Sequence, residues 1–267
     1  MRFLGTCFSL IVAAFIAVPL SAQQSPQAVS LLQKSLTAQT GSATTTDVTL
    51  GGTIRFLKGS KPAVTGTATL TALADGSTQA VLNLPSGTGT EVWLSSNGSA
   101  TVSSSGPNGN TSKPAGGDMT MPGPAWFSPV LLTPLLSGSG YESNYAGKAT
   151  WNGATVEHVV AWQAPQANSQ VPAFALKEQT SADVYLNPTT SLPASIVFRV
   201  RPVSPPGKRL SIRAQLIPEE IRYSNYESVD GRMIPLHIQV YLGKNQAIDL
   251  TITSAAFNTG ATITAPN

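Results

Sequence analysis

The sequence predicts a mainly β protein, an antiparallel meander of about ten or eleven strands with one helix at its start and a short helical segment in its middle. Two observations predict this fold class: apolar and polar residues alternate along many short segments, and pairs of turn-forming residues separate those segments. The composition agrees, because 23 glycines and 20 prolines among 267 residues interrupt long helices. With 41% hydrophobic residues, the chain has enough apolar surface for one sizeable core.

The first segment has the features of a secretory signal peptide. The cation Arg2 precedes an apolar stretch that runs from residue 3 to 18, and small residues follow up to Ala22. We expect cleavage after Ala22, which makes residues 23–267 a single domain that is exported to the periplasm. An uncleaved membrane anchor is the alternative, and the shortness of the apolar stretch argues against it.

Charge and cysteine content exclude several classes of function. The formal net charge is +3 and the lysines and arginines form no run, which argues against a nucleic-acid-binding patch. The single cysteine, Cys7, lies within the expected signal peptide. The mature chain would therefore have no disulfide, no thiolate metal site and no lipid-modified cysteine. We expect a monomer without cofactor or metal.

A helix is predicted directly after the signal peptide. Ser25 is a suitable N-cap, Pro26 is favoured in the first turn, and Gly41 can end the helix. Four apolar residues recur at helical spacing on one face: Ala28, Val29, Leu32 and Leu36. A helix with one apolar face must cover another apolar surface, and we expect it to pack on the sheet.

The strands begin at Asp47, where the apolar period changes from helical to two. One face of the first strand carries Val48, Leu50, Ile54 and Phe56. Four later pairs favour the positive φ angles of tight hairpins: Asp75-Gly76, Asn97-Gly98, Asn152-Gly153 and Asp230-Gly231. Near the end, one face carries Ile234, Leu236, Ile238 and Val240. His237 is expected on the opposite face.

The meander is interrupted in the middle. Residues Gly106–Gly123 are rich in Gly, Ser, Asn and Pro, which predicts a mobile loop, and a second mobile connection is predicted from Ala164 to Ala173. Between them, Pro124–Leu136 is apolar all round and contains two prolines, so it cannot form one long helix. We expect one or two short helical turns docked against an apolar surface, and we call residues 124–136 the plug.

Catalytic motifs are sparse. The mature chain has two histidines, His158 and His237, in separate strands without metal-ligand spacing, and it has no nucleophile elbow, phosphate loop or dinucleotide fingerprint. Glu219 and Glu220 are adjacent and would point to opposite faces of a strand. The pattern favours a protein that is not an enzyme, although residues distant in sequence leave an assembled site open.

Large apolar side chains on or beside the strand faces are the candidate ligand-binding residues. They belong either to a packed core or to the lining of a concave apolar surface under a movable plug. The candidates are Ile54, Phe56, Trp93, Trp126, Phe127, Leu131, Leu135, Phe198, Leu236 and Ile238. On the second interpretation, burial of alkyl chains would contribute about 0.8 kcal/mol per methylene.

A set of turn motifs runs through residues 183–260. They are Asn187-Pro188, Leu192-Pro193, and the spaced residues Tyr226, Val229, Asp230, Gly231 and Pro235. This arrangement resembles the C-terminal half of the LolA/LolB-like superfamily. The resemblance implies a half-open antiparallel β-barrel of about eleven strands, with an N-terminal helix and a short helical plug that closes the open side.

The resemblance also implies a function, a non-catalytic periplasmic carrier that holds lipid or lipoprotein acyl chains and contacts the membrane transiently. Two features depart from the family pattern. A lipid-attachment cysteine is missing, which argues against a membrane-anchored acceptor, and residues 69–76 lack the arginine that LolA carriers have there. An envelope protein-interaction or sensor module on the same scaffold is the alternative, and an enzyme with a fold-assembled site is a third possibility.

Overall fold

The structure is a computed structural model and describes residues 24–42, 44–59, 61–96, 99–107, 109–114, 124–136, 140–165, 172–200 and 216–265. The expected signal peptide and its cleavage site lie outside the described residues, as does the turn expected at Asn97-Gly98. Within the described part of the chain, no helix is long and apolar enough to cross a membrane.

Thirteen antiparallel strands form one open sheet in the described residues. In chain order they are β1 Asp47–Lys58, β2 Lys61–Leu73, β3 Thr78–Leu84, β4 Gly87–Ser96, β5 Ser99–Ser105, β6 Thr111–Pro114, β7 Tyr141–Trp151, β8 Ala154–Gln163, β9 Ala182–Leu186, β10 Pro193–Val200, β11 Ile217–Val229, β12 Arg232–Leu242 and β13 Asn245–Phe257. The helices are α1 Pro26–Thr40, a 3₁₀ turn Pro124–Trp126, α2 Ser128–Leu136 and α3 Ala173–Thr180. The prediction of a mainly β, half-open barrel with an N-terminal helix and a short helical plug is confirmed, with about two more strands than expected.

The strand order shows how the two halves of the chain join in one open sheet. It runs β6-β5-β4-β3-β2-β1-β13-β12-β11-β10-β9-β8-β7. Neighbours in the sheet are therefore consecutive in sequence except where β1 pairs with β13, for example at Val48 and Phe257. This pairing joins the two halves of the chain, and β6 and β7 remain as the two edges of an open barrel.

Two hairpins have the turn geometry that their residues predict. Asn152-Gly153 joins β7 to β8 with φ angles of 46° and 80°, and Asp230-Gly231 joins β11 to β12 with 49° and 75°. Positive φ at both turn residues gives a twist that matches the twist of paired strands. The second hairpin sets the register of β12, in which Ile234 and Ile238 are buried while His237 faces the other side, as predicted.

Helix α1 begins and ends where the sequence predicts. It follows Ser25 and stops before Gly41, which has a φ of 63°. The side chain of Ser25 makes no capping hydrogen bond, contrary to expectation. Its backbone N–H instead donates to the Ser143 carbonyl on β7 at 2.8 Å, which ties the start of the helix to an edge of the sheet. The apolar face of α1 is covered, with Leu32 fully buried.

Two segments differ from the expectation. The loop predicted over Gly106–Gly123 is wrong in part, because Thr111–Pro114 forms β6 and pairs with β5, while residues 115–123 lie outside the described residues. Four residues are too few to show an alternation without their partner strand. After the connection predicted from Ala164 to Ala173, the chain forms α3, which buries no residue and therefore has no apolar stripe to predict it.

The core lies between the concave face of the sheet and the two helices α1 and α2. Inner-face side chains from both halves of the meander join one cluster, which includes Leu50, Leu70, Ile196, Ile221 and Leu250. Each side chain of this size contributes about 1.5–3 kcal/mol when buried. The concave side of the half-barrel is therefore where apolar surface and the plug meet.

Candidate functional site

The plug packs against the concave face of the sheet, as predicted. Trp126 and Phe127 are only 2% and 6% exposed. The segment consists of the 3₁₀ turn and the short helix α2, which contains Pro134. At the end of α2, the Leu135 carbonyl accepts a hydrogen bond from Nε2 of Gln24 at 3.0 Å. The plug is therefore a docked apolar segment whose last turn is held by Gln24, two residues before α1 begins.

Two further hydrogen bonds fix the other end of the plug. The Ser128 hydroxyl donates to Oε1 of Gln39 on α1, and the Tyr223 hydroxyl donates from the floor of the sheet to the Ala125 carbonyl. Burial raises the pKa of Tyr223 far above its usual value, so this hydroxyl keeps its proton at any physiological pH. These hydrogen bonds link the plug to α1 and to the floor of the sheet.

A groove of about 240 Å³ opens between the plug, α1 and strands β1 and β2. Its lining consists of Leu36, Thr40, Thr45, Asp47, Val48, Ala72, Leu73, Ala74, Phe127, Pro129, Val130 and Thr133. Most of these side chains are apolar, and three of the four polar ones are threonines. Such a lining suits a narrow apolar ligand better than a polar metabolite, because it offers few fixed partners for polar groups.

Asp47, the charged residue of the groove, is engaged by the protein itself. Its carboxylate accepts hydrogen bonds from the backbone N–H and hydroxyl of Thr259 at 2.9 and 2.8 Å, from Gly260 N–H at 3.1 Å and from the Thr46 hydroxyl at 3.1 Å. Burial raises the pKa of Asp47, but these hydrogen bonds outweigh burial and lower the pKa overall. Asp47 is therefore an ionised structural residue.

Arg232 fixes the neighbouring rim of the groove. It is 5% exposed, and its Nε donates to the Thr45 hydroxyl at 2.8 Å, while Nη2 donates to the Thr44 carbonyl at 3.0 Å and Nη1 to the Asp230 carbonyl at 3.1 Å. The guanidinium also lies 4.5 Å from the ring centroid of Phe257. Because Thr45 lines the groove, Arg232 is a positioning residue for that wall.

At the other end of the half-barrel, which we call the α3 end, the concave face is less completely covered. It is the end at which β9 begins, at Ala182 directly after α3. The residues opposite Ala182 on the next three strands are Phe198 on β10, Glu219 on β11 and Leu242 on β12. Phe198 here and Phe56 on β1 are only partly buried. Apolar surface is therefore present at both ends of the concave face.

A carboxyl group with a shifted pKa lies at the α3 end. Burial, together with the smaller effect of the negative charge of Glu91 on β4, raises the pKa of Glu219 to about 7. Strands β4 and β11 are six positions apart in the strand order. The charge of Glu91 therefore acts on Glu219 because the sheet curves and brings these two strands towards each other. Glu91 also accepts a hydrogen bond from Nε1 of Trp93 at 3.3 Å. Glu219 is therefore partly protonated at neutral pH.

The structure places the ten predicted lining residues in three groups. Five are buried in the core cluster: Ile54, Trp126, Phe127, Leu135 and Ile238. Four are partly buried and pack against that cluster: Phe56, Leu131, Phe198 and Leu236. Trp93 is half-buried and is not a member of it. Nine of the ten therefore come together in one cluster, and Phe127 alone among them lines the groove.

Both histidines lie away from the groove, on the convex face, where they pair with aspartates. His158 Nε2 is 2.8 Å from Oδ1 of Asp183, and His237 Nε2 is 2.6 Å from Oδ1 of Asp249. Ser224 Oγ is 3.3 Å from the other ring nitrogen of His237. In the part of the chain that the structure describes, no three His, Cys, Asp or Glu side chains are grouped to hold a metal ion.

Several solved structures have a fold similar to that of this chain. An outer membrane lipoprotein-sorting protein domain from Vibrio parahaemolyticus matches with a TM-score of 0.58 and 14% identity over 88% of this chain and 93% of that one. A LolA superfamily protein from Nitrosomonas europaea matches with a TM-score of 0.54 and 10% identity, covering 85% and 92%. The chain has a LolA-like fold. A DUF1329 family protein from Desulfovibrio piger, with a TM-score of 0.57 and 10% identity over 88% and 94%, is built on a similar plan. Neither family models nor curated protein sequences give a match.

Sequence reasoning misses most residues of the groove of this LolA-like chain. Thr40, Pro129, Val130 and Thr133 line it because α1 and α2 lie side by side, an arrangement that neither segment specifies alone. The link between Glu219 and Glu91 is missed for the same reason, since the curl of the sheet brings distant strands together. The signals that point to this surface are the apolar stripe of α1, which contains Leu36, the apolar face of β1, which contains Val48, and the plug, which contains Phe127.

Proposed function

We propose that this protein is a non-catalytic periplasmic carrier that binds lipid acyl chains, or the acyl chains of lipoproteins, between the plug and the concave face of the sheet. The groove beside α2 carries the proposal, because it is a mostly apolar opening of about 240 Å³ between the docked plug, α1 and the sheet. The structural likeness to LolA-superfamily proteins supports the scaffold.

The chemistry of the groove supports binding rather than catalysis. Its one carboxylate, Asp47, is occupied by hydrogen bonds from the protein, and its threonines have no histidine beside them in the lining. Binding would be driven by burial of alkyl surface. An acyl chain longer than the groove would displace the plug from the sheet, which breaks the hydrogen bonds of Tyr223 and Ser128.

A titration with fatty acids of increasing length tests this proposal. Isothermal titration of the delipidated protein with decanoate, dodecanoate and tetradecanoate is expected to show saturable binding of one chain. Each added methylene that is buried strengthens binding by about 0.8 kcal/mol, which lowers Kd about fourfold. Absence of binding for all three acids would contradict the carrier function and favour the protein-interaction module.

A matched pair of variants locates the binding surface. Thr133 lines the groove and its side chain is exposed, so Thr133→Trp fills the opening without replacing a core residue. Thr37→Trp adds the same ring at an exposed position of α1 that does not line the groove. We expect Thr133→Trp to weaken fatty-acid binding at least tenfold and Thr37→Trp to leave it unchanged. Equal binding by both variants would exclude the groove.

The periplasmic location rests on the signal-peptide pattern of residues 1–22. N-terminal sequencing of the protein recovered from its native host is expected to begin at Gln23. A protein that begins at Met1 and remains in the membrane fraction at high salt would contradict this part of the proposal.

A further inference from the structure

A serine, a histidine and an aspartate lie next to one another on the convex face, on three adjacent strands. Ser224 on β11 pairs with His237 on β12, and Asp249 lies on the next strand, β13. Ser224 Oγ is 3.3 Å from Nδ1 of His237, and Nε2 of His237 is 2.6 Å from Oδ1 of Asp249. The groove uses none of these three side chains.

The order of these contacts determines where the protons lie. A carboxylate only accepts hydrogen bonds, so Nε2 of His237 carries the proton that is donated to Asp249. In the neutral imidazole, Nδ1 is then the acceptor, and it faces the Ser224 hydroxyl. Arg55 Nη1 lies 3.6 Å from Oδ2 of Asp249 and holds the carboxylate from its other side. A serine, a base and a carboxylate that orients the base therefore stand in the order that nucleophilic catalysis by serine requires.

The backbone beside Ser224 departs from regular strand geometry. Asn225 has a φ of 54°, a left-handed conformation that is uncommon for a residue other than glycine. The register passes from Ser224, opposite His237, to Tyr226, opposite Pro235, so Asn225 is the extra residue of a bulge in the pairing of β11 with β12. Bulges re-aim side chains, and strained residues gather at reactive sites. The backbone N–H of the residue that follows a nucleophilic serine is also a usual donor to the developing oxyanion.

The second histidine of the convex face shows what is specific to this array. His158 also has an aspartate partner, because its Nε2 is 2.8 Å from Oδ1 of Asp183, but its ring stacks on Tyr185 with 4.6 Å between the ring centroids. A histidine paired with an aspartate can be purely structural. At His237 a hydroxyl faces the remaining ring nitrogen, and Ser224 is exposed, so a reagent can reach it without movement of the protein.

We infer that Ser224 is a reactive nucleophile that takes an acyl group from an activated carboxylic ester or thioester. Its oxygen forms a bond to the acyl carbon, and the bond from that carbon to the leaving oxygen or sulfur breaks. The serine proton passes through Nδ1 of His237 to the leaving group, so the products are an O-acylserine and a free alcohol or thiol. Asp249 is the positioning residue for His237. The modification takes place away from the groove, and it does not depend on the proposed carrier function.

Labelling of the folded protein tests this inference directly. The protein is incubated with 4-nitrophenyl acetate or with a fluorophosphonate, and the modified residue is located by mass spectrometry of its peptides. We expect both reagents to label Ser224, with release of one equivalent of nitrophenolate per chain as the acetyl group is transferred. Ser228 is the internal control, because it is exposed on the same strand opposite Met233, and it should remain unmodified.

Variants of the array provide the second arm, with circular dichroism to show that each one folds. His237→Gln should slow labelling of Ser224 about a hundredfold, because the base is lost. Asp249→Asn should slow it about tenfold, and Asp249→Glu should recover part of the rate, which an effect on stability alone would not produce. His158→Gln is the matched control and should leave the rate unchanged. An unlabelled Ser224, equal labelling of Ser228, or an unchanged rate in His237→Gln would overturn the inference.

Discussion

Replacing Glu219 with glutamine removes a carboxyl group that the folded protein keeps partly protonated at neutral pH. Its pKa is raised from 4.5 to about 7, first by burial and then by the charge of Glu91. The unfolded chain releases this proton near pH 4.5, whereas the native protein retains it until about pH 7. Stability is therefore lost as the pH rises through that window, and the full loss is present above it.

The size of the effect follows from the shift in pKa. One pKa unit corresponds to about 1.4 kcal/mol. The shift of Glu219 therefore lowers the free energy of unfolding at high pH by at most about 3 kcal/mol. The side chain is not fully buried, and solvent reduces this to about 2 kcal/mol. Glu219→Gln should match the native protein in stability at pH 4 and exceed it by about 2 kcal/mol at pH 8.

Urea unfolding followed by circular dichroism at pH 4, 5.5, 7 and 8 measures this difference. Glu227→Gln is the matched control, since Glu227 lies on the same strand and its side chain is exposed. Glu91→Gln should lower the pKa of Glu219 and so make the free energy of unfolding less dependent on pH. A difference between Glu219→Gln and the native protein that stays constant from pH 4 to pH 8 would refute the reasoning.

Three further variants test the groove and the plug. Arg232→Ala should lower the free energy of unfolding by about 3 kcal/mol in a urea titration, because three hydrogen bonds of a buried cation are lost. Arg55→Ala is the control at an exposed position and should lower it by less than about 1 kcal/mol. Tyr223→Phe should cost about 1 kcal/mol and speed amide hydrogen exchange in α2 specifically; exchange that speeds equally in all elements would contradict its role in holding the plug. Addition of dodecanoate should change tryptophan emission through Trp126, and a change that persists in Trp126→Phe would show that the plug does not report the ligand.

Local signals predict most of the fold. The turn pair Asp230-Gly231 and the alternation through Ile234 and Ile238 specify a hairpin and its buried face, because both depend on residues close in sequence. The limits of α1 follow from Pro26 and Gly41 for the same reason. Strand β6 is too short to show an alternation of apolar and polar residues, and helix α3 has no apolar stripe. Neither element can therefore be recognised from the sequence before its partners are known.

The site is less predictable than the fold, because it depends on which surfaces meet. The sequence shows that the plug is apolar and interrupted by prolines. In the structure it packs on the sheet with Trp126 and Phe127 buried. The groove beside it forms only where α1, α2 and the sheet meet, which brings Leu36, Val130 and Val48 into one lining. The apolar residues of the strands alternate in the same way whether they fill a core or line a cavity, so the sequence leaves this choice open for residues such as Ile54.

Native mass spectrometry tests the central claim most directly. The protein and its Thr133→Trp and Thr37→Trp variants would be purified without detergent from the exported fraction of the native host and measured side by side. We predict adducts with the masses of acyl lipids on the native protein and on Thr37→Trp, and their loss from Thr133→Trp. A native protein that carries no lipid, or equal lipid on all three proteins, would contradict a carrier that binds acyl chains in the groove beside the plug.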